Sequence, residues 1–287
     1  MNFKEIVLPG AQGPLAAKRW NGGELPVLAL HGWLDNAGSF DGLAPLLTGC
    51  DVVCLDFPGH GLSYHRPAGT PYHFVDWVPE VFAAADALGW DRFSLIGHSM
   101  GAGVATLAAG TFPQRVSSLV LIEGLGPFTH PDEESPAQLA KSLLFKPSNK
   151  RLYYSTREKA VERLAFRELE PHSAQALAER ALREDENGWY FHYAQEVRAP
   201  SRQRLSEAQV RAFLGEIACP TLLILGEDGL KAHPSYSGRE QAISNLKALT
   251  LQGKHHLHLD TPELPAPAIL AHLRGAGSSA RDPKTHP

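Results

Sequence analysis

The chain has 287 residues, 43% of them hydrophobic and 20% charged, with a formal net charge of −4 at pH 7. That length accommodates a full α/β core plus an insertion, and the balance is that of a globular protein. The lack of a long basic block argues against nucleic acid or an anionic membrane as main partner, and no run approaches the ~20 apolar residues of a membrane span.

In chain order, the N-terminus shows no basic segment followed by a long apolar core, so we read no signal peptide and expect a cytoplasmic protein. Strands are predicted over 3–8 and 15–20, joined by a turn at Pro9-Gly10-Ala11-Gln12-Gly13. A short buried strand at 26–30, a short helix at 38–47 and an apolar strand at 51–55 follow. Helical spacing over 75–88 puts Val78, Val81, Phe82, Ala85 and Leu88 on one face. An apolar strand at 92–96, a small-residue helix at 101–110 and a buried strand at 116–122 complete the first half. From 127 to about 213 the chain is charged, helical and almost free of strand patterns, with amphipathic stretches at 159–169 and 173–183. The buried-strand pattern resumes at 220–225, then a helix at 239–246, a strand at 248–251 and a helix at 262–274. Cys50, Cys54 and Cys219 each fall in or beside a predicted strand and read as inert core thiols, not a disulfide framework. Continuous apolar strands alternating with helices specify a mostly parallel sheet buried on both faces. The expected organisation is a core of 1–126 and 216–274, a helical cap of 127–215 inserted after the sixth strand, over the C-terminal sheet edge where such sheets bind ligands, and a disordered tail of 275–287.

The chemistry centres on Gly97-His98-Ser99-Met100-Gly101, with a strand before and a helix after. This is a nucleophile elbow in the context that gives the motif meaning. The turn is tight enough to strain the serine backbone, and glycines at 97 and 101 remove side chains that would collide. The Met100 N–H then points where a carbonyl oxygen develops negative charge. A second donor is the Trp33 N–H, from the turn His31-Gly32-Trp33 at the end of an early strand. The Trp33 side chain and His98 are candidates for the substrate pocket. The general base falls in Gly253-Lys254-His255-His256-Leu257-His258, after the last strand, with His255 first choice and His256 next. The histidine spacing gives no fixed metal-ligand set, so no metal is expected. Two carboxylates compete to orient the base: Asp228, just past the strand at 220–225, and Glu123, at the end of the neighbouring strand. Asp260 reads as a helix cap. Asp56-Phe57-Pro58-Gly59-His60-Gly61-Leu62-Ser63 is a compact glycine turn to which we assign no chemistry, with His60 structural.

These motifs, in the order oxyanion turn, elbow, acid and histidine, resemble the α/β-hydrolase superfamily over almost the whole chain. His31 to Ala37 with Phe40-Asp41, Asp56 to Ser63 and Gly253 to His258 look more narrowly like the serine hydrolase-like proteins. The resemblance implies the α/β-hydrolase fold, Ser99 as nucleophile and His255 as base, and leaves the acid open because the loop after the seventh strand varies in that group.

The expected reaction is acyl transfer to water on a small ester-like substrate, with no cofactor. Thioesters, carbon–carbon bonds and perhydrolysis are alternatives on the same fold, as are transfer to an alcohol and a non-catalytic ligand-binding role. A serine nucleophile disfavours hydrolytic dehalogenase and epoxide hydrolase chemistry. Cap aromatics Phe145, Tyr153, Tyr154, Phe166, Trp189, Tyr190 and Phe191 are candidate pocket walls, most of them expected simply to pack. A monomer or small homo-oligomer is expected.

Overall fold

A computed structural model describes residues 3–20, 22–146, 151–165, 169–231 and 233–279. The first half builds β1 (Phe3–Pro9), β2 (Pro14–Trp20), β3 (Leu25–Leu30), β4 (Cys50–Leu55), α1 (Val78–Ala87), β5 (Phe93–His98), α2 (Met100–Thr111) and β6 (Val116–Ile122). An insertion follows, carrying α3 (Ser135–Leu144), α4 (Arg157–Ala165), α5 (Pro171–Ala181), β7 (Leu182–Asp185), β8 (Gly188–Phe191) and α6 (Glu207–Gly215). The chain then returns through β9 (Thr221–Gly226), β10 (Leu246–Leu251), α7 (Leu257–Asp260) and α8 (Ala266–Ser279).

The main sheet has eight strands in the order β1-β2-β4-β3-β5-β6-β9-β10. The β1–β2 and β2–β4 pairs are antiparallel and the rest parallel. Strand alternation divides the core into two layers. Leu28, Leu30, Leu95 and Leu121 face one side, where Val81 of α1, Ala105 of α2 and Leu214 of α6 cover them. Val27, Ala29, Ile96 and Ile122 face the other, under Phe40, Leu257 of α7 and Ile269 of α8. Both faces are therefore dry, which explains why these strands read as continuous apolar runs rather than alternating ones.

Four elements differ from the sequence expectation. The helix at 38–47 is two 3₁₀ turns, Ala37–Phe40 and Ala44–Leu46, because Gly42 and Pro45 interrupt it. The helix at 239–246 shrinks to a 3₁₀ turn, Glu240–Ala242. There Arg239 is fully buried and donates to the carbonyls of Leu125 and Pro127, a tertiary constraint that overrides propensity. The insertion carries a β7–β8 hairpin where helix was expected. Its signal is present: Asn187-Gly188, with Gly188 at φ 119°, precedes Trp189-Tyr190-Phe191. Finally, α8 continues to Ser279, so helix occupies the first part of the expected tail, and 280–287 lie outside the described residues.

Polar contacts, some of them fully buried, fasten the insertion to the core. Arg180 of α5 donates to Asp56 at 2.6 Å and to Glu5 at 2.6 and 2.8 Å. Asn36 Nδ2 donates to Leu177 O at 2.9 Å, and the Glu170 N–H donates to Asp260 at 3.1 Å. The compact turn after β4 is thus a structural hub: Asp56 also accepts the N–H groups of Ala37 and Leu62, each at 2.7 Å. A Cβ at Gly61 (φ 50°) would strike that carboxylate. Among the described residues no helix is long and apolar enough to cross a membrane.

Candidate active site

Ser99, Glu123 and His255 follow the C-terminal ends of the parallel strands β5, β6 and β10, of which β5 and β6 are neighbours. β5 ends at His98, and Ser99 turns sharply at φ 51°, ψ −113° into α2. The Ser99 N–H bonds Ile122 O at 2.9 Å, extending the β5–β6 ladder one residue beyond the strand. No Cβ fits at Gly101, where it would overlap Leu30 O, and one at Gly97 would come within 2.5 Å of Gly101 O. The elbow glycines are therefore steric requirements. Met100 is the first residue of α2, so its N–H has no intrahelical acceptor and carries the positive end of the helix dipole.

His255 Nε2 lies 3.0 Å from Ser99 Oγ, and its Nδ1 lies 3.2 Å from Glu123 Oε2. Because a carboxylate accepts, Nδ1 carries the proton, Nε2 presents its lone pair and Ser99 donates. Glu123 sits at φ 52°, just beyond β6, with its own N–H bonded to Ile224 O at 2.9 Å. Its carboxylate is fully buried and accepts the N–H groups of Gly226 and Leu230, each at 2.6 Å. Among the described residues, the non-glycine residues with positive φ are Leu34, Ser99 and Glu123. Leu34 follows Trp33, and Ser99 and Glu123 are the two residues hydrogen-bonded to His255, so backbone strain is concentrated at the candidate site.

Asp228 is the correction. It is exposed, and Glu123, not Asp228, stands on His255 Nδ1. The Asp228 N–H bonds Gly253 O at 3.1 Å and the Gly229 N–H bonds Gly226 O at 3.2 Å, closing a turn over Glu123. A Cβ at Gly229 would overlap the Glu123 carboxylate. The loop expected to supply the acid instead supplies the donors that solvate it.

His98 also departs from expectation. It is adjacent to Ser99 on the strand end and points the other way, fully buried behind His255 rather than into the pocket. Its Nε2–H donates to His255 O at 2.9 Å, gripping the backbone of the base. Burial pushes its pKa down to about 3, against the opposing pull of Asp35. His256 Nε2 donates to Asp35 at 3.2 Å, and His258 Nε2 lies 2.9 Å from Ser39 Oγ, so neither histidine faces Ser99. The ligand atoms of Asp35, His98 and His256 lie within 4.8 Å of one another, a grouping that spacing alone did not reveal. All three side chains are buried, and Asp35 already accepts the His256 proton, which gives the cluster a fixed role in packing the base loop. His31 is structural: its Nδ1–H donates to Gly32 O at 2.7 Å and its Nε2 accepts the Phe57 N–H at 3.0 Å. His60 is fully shielded, with a pKa lowered by burial to about 3.

Ser99, Met100 and Trp33 line a cleft of ≈460 Å³ whose aromatic walls are Tyr72, Phe74, Trp77, Phe128 and Tyr236. The Trp33 indole is anchored by Nε1 donating to Val197 O at 2.9 Å. The insertion aromatics expected as walls lie elsewhere. Tyr154, Tyr190 and Phe191 line a second cavity of ≈430 Å³ beyond Trp33, Trp189 packs on the insertion's own core, and Phe145 borders a small groove. Tyr153 pairs with Tyr190 and Asp185, and Phe166 lies outside the described residues. Sequence periodicity missed these walls because they come from loops and from single 3₁₀ turns, Phe74–Trp77 and Pro234–Tyr236, too short to show a repeat.

The alpha/beta hydrolase fold family matches residues 26–262. A serine hydrolase-like protein of Danio rerio is 35% identical over 94% of this chain and 88% of its own length. The crystal structure of a hypothetical protein from Pseudomonas aeruginosa PAO1 is 38% identical with a TM-score of 0.87, covering 97% of this chain and 100% of that one. A thioesterase domain from the curacin biosynthetic pathway is 25% identical with a TM-score of 0.83, covering 96% and 100%. The chain belongs to the α/β-hydrolase fold family.

Proposed function

We propose that this protein is a serine hydrolase of carboxylic esters that works through an acyl-enzyme on Ser99. The observation that carries the reading is the unbroken chain from Ser99 Oγ to His255 (3.0 Å) to Glu123 (3.2 Å), ending on a carboxylate held by two backbone N–H groups. Ser99 Oγ attacks the carbonyl carbon while His255 Nε2 takes its proton. Glu123 holds the imidazole tautomer and balances the imidazolium that forms. The Met100 and Trp33 N–H groups receive the oxyanion, and each such donor contributes roughly 3 kcal/mol in comparable sites. His255 then returns its proton to the leaving alcohol and activates water on the acyl-enzyme. Residues 127–215 act as the cap, closing the cleft through the Trp33–Val197 contact. Thioesters present the same electrophile, and the likeness to a thioesterase domain makes them the second class to assay.

The test is hydrolysis of p-nitrophenyl esters, acetate through long-chain, by wild type and Ser99→Ala, with fluorophosphonate labelling in parallel. Turnover and labelling that vanish together in Ser99→Ala support the reading. A folded wild type that neither turns over any ester or thioester nor labels at Ser99 leaves the ligand-binding alternative.

A further inference from the structure

We infer that the Ser99 cleft selects substrates bearing an anionic group, a carboxylate or a phosphate, remote from the scissile carbonyl, and that Lys141, Arg198 and Arg204 recognise it. The inference deepens the hydrolase reading above and rests on it.

The cleft lining includes those three cations and no aspartate or glutamate. In a chain with 31 acidic and 27 basic residues, this is a local reversal of the overall charge. Among the described residues none of the three cations is in an ion pair. The acids bordering them are already engaged. Asp76, which shares an adjoining groove with Arg204, accepts from Arg66 at 2.6 Å and from the His73 N–H at 3.1 Å. Glu196 accepts the Gly69 N–H at 2.9 Å.

The cations sit on elements tied to the reacting centre. Arg198 follows Val197, whose carbonyl accepts the Trp33 indole at 2.9 Å. Gln138, three residues before Lys141 on α3, donates to Ser201 O at 3.0 Å, which couples α3 to the segment between Arg198 and Arg204. The charge also continues past the cleft. The second cavity shares Trp33 and Arg198 with it, adds Arg163 and Arg151, the latter 4.0 Å from Asp185, and again has no acid in its lining.

A guanidinium fork matches carboxylate and phosphate oxygens in pairs. The cations are exposed at the cleft's edge, and the apolar rings beside them, Trp33, Phe74, Trp77 and Phe128, give it low-dielectric walls that focus their field into it. A neutral ester uses the walls alone, whereas an anionic one uses both. The anion has two possible sources, the far end of the acyl chain or the leaving group.

Two matched pairs separate these sources: monomethyl against dimethyl adipate for a carboxylate, and hexanoyl-coenzyme A against hexanoyl-N-acetylcysteamine for phosphate. Binding to Ser99→Ala is measured by calorimetry and kcat/KM on the wild type. The anionic member of at least one pair is expected to bind about tenfold tighter and to react with about tenfold higher kcat/KM. That preference is expected to fall at least threefold, roughly, in the Arg198→Gln/Arg204→Gln double variant and to shrink at high salt. Preferences within about twofold of parity for both pairs overturn the inference, as does a preference that survives the double substitution. Ser99-dependent turnover without anion preference breaks this inference alone. Anion-selective binding to Ser99→Ala with no wild-type turnover breaks the hydrolase reading and leaves the anion site standing.

Discussion

Asp56 and Glu123 are both fully buried carboxylates just past parallel strands, β4 and β6, and each accepts two backbone N–H groups. They differ in the third partner. Asp56 meets Arg180, a permanent cation from the insertion, at 2.6 Å. Glu123 meets His255, the base of the proposed mechanism, at 3.2 Å. The same pair of backbone donors to a buried carboxylate thus supports a structural rivet in one place and the acid of the proposed triad in the other. Surroundings reinforce the division: the Arg180 side chain is 3% exposed, while the His255 side chain is 33% exposed.

Breaking each carboxylate's pairing tests the comparison. Glu123→Gln keeps shape and removes charge, so kcat is expected to drop by about 10³–10⁴ with the fold retained, measured by ester turnover beside thermal melting. Arg180→Met reverses the pattern. It leaves Asp56 buried without its cation, and denaturant unfolding is expected to show a loss of about 3–5 kcal/mol, discounted where water reaches the Glu5 end of the contact. A catalytic defect in Arg180→Met that exceeds its folding defect would blur the division between rivet and machinery.

Histidine burial sharpens the contrast along the pH axis. His60 and His98 have folded pKa values lowered from 6.5 to about 3, chiefly by desolvation. The unfolded chain therefore binds more protons between these limits, and stability is full above about 6.5 and declines as pH falls toward 3. Unfolding free energy followed from pH 7 to 4 is expected to fall, and His98→Asn is expected to flatten that slope. It should also lower kcat by about tenfold, since the His255 backbone loses its donor. A slope unchanged by His98→Asn would remove His98 from this account. The smallest effect belongs to Asp228→Asn, whose kcat is expected within about twofold of wild type, as for an exposed side chain outside the site.

Much of this was legible in the residues. The strands could be read because both sheet faces are dry, and Gly97 and Gly101 marked the elbow because no side chain fits there. His255 followed from its position after the last strand. The acid was ambiguous because Asp228 and Glu123 both end strands that approach the base. Only the turn closed by the Gly229 N–H on Gly226 O shows that the 226–230 loop donates to the acid. His98 was misplaced because a motif states neighbours in sequence and not which way a strand-end side chain points. The β7–β8 hairpin went unread because helical charge patterns on either side outweighed a single Asn187-Gly188 signal.

The most direct test of the Ser99–His255–Glu123 assignment is the rate of fluorophosphonate labelling, located by mass spectrometry, in wild type, Glu123→Gln and Asp228→Asn. Labelling is expected on Ser99, slowed at least about a hundredfold by Glu123→Gln and untouched by Asp228→Asn. Loss of labelling in Asp228→Asn with Glu123→Gln unaffected, or no labelling of Ser99 in the wild type, would contradict it.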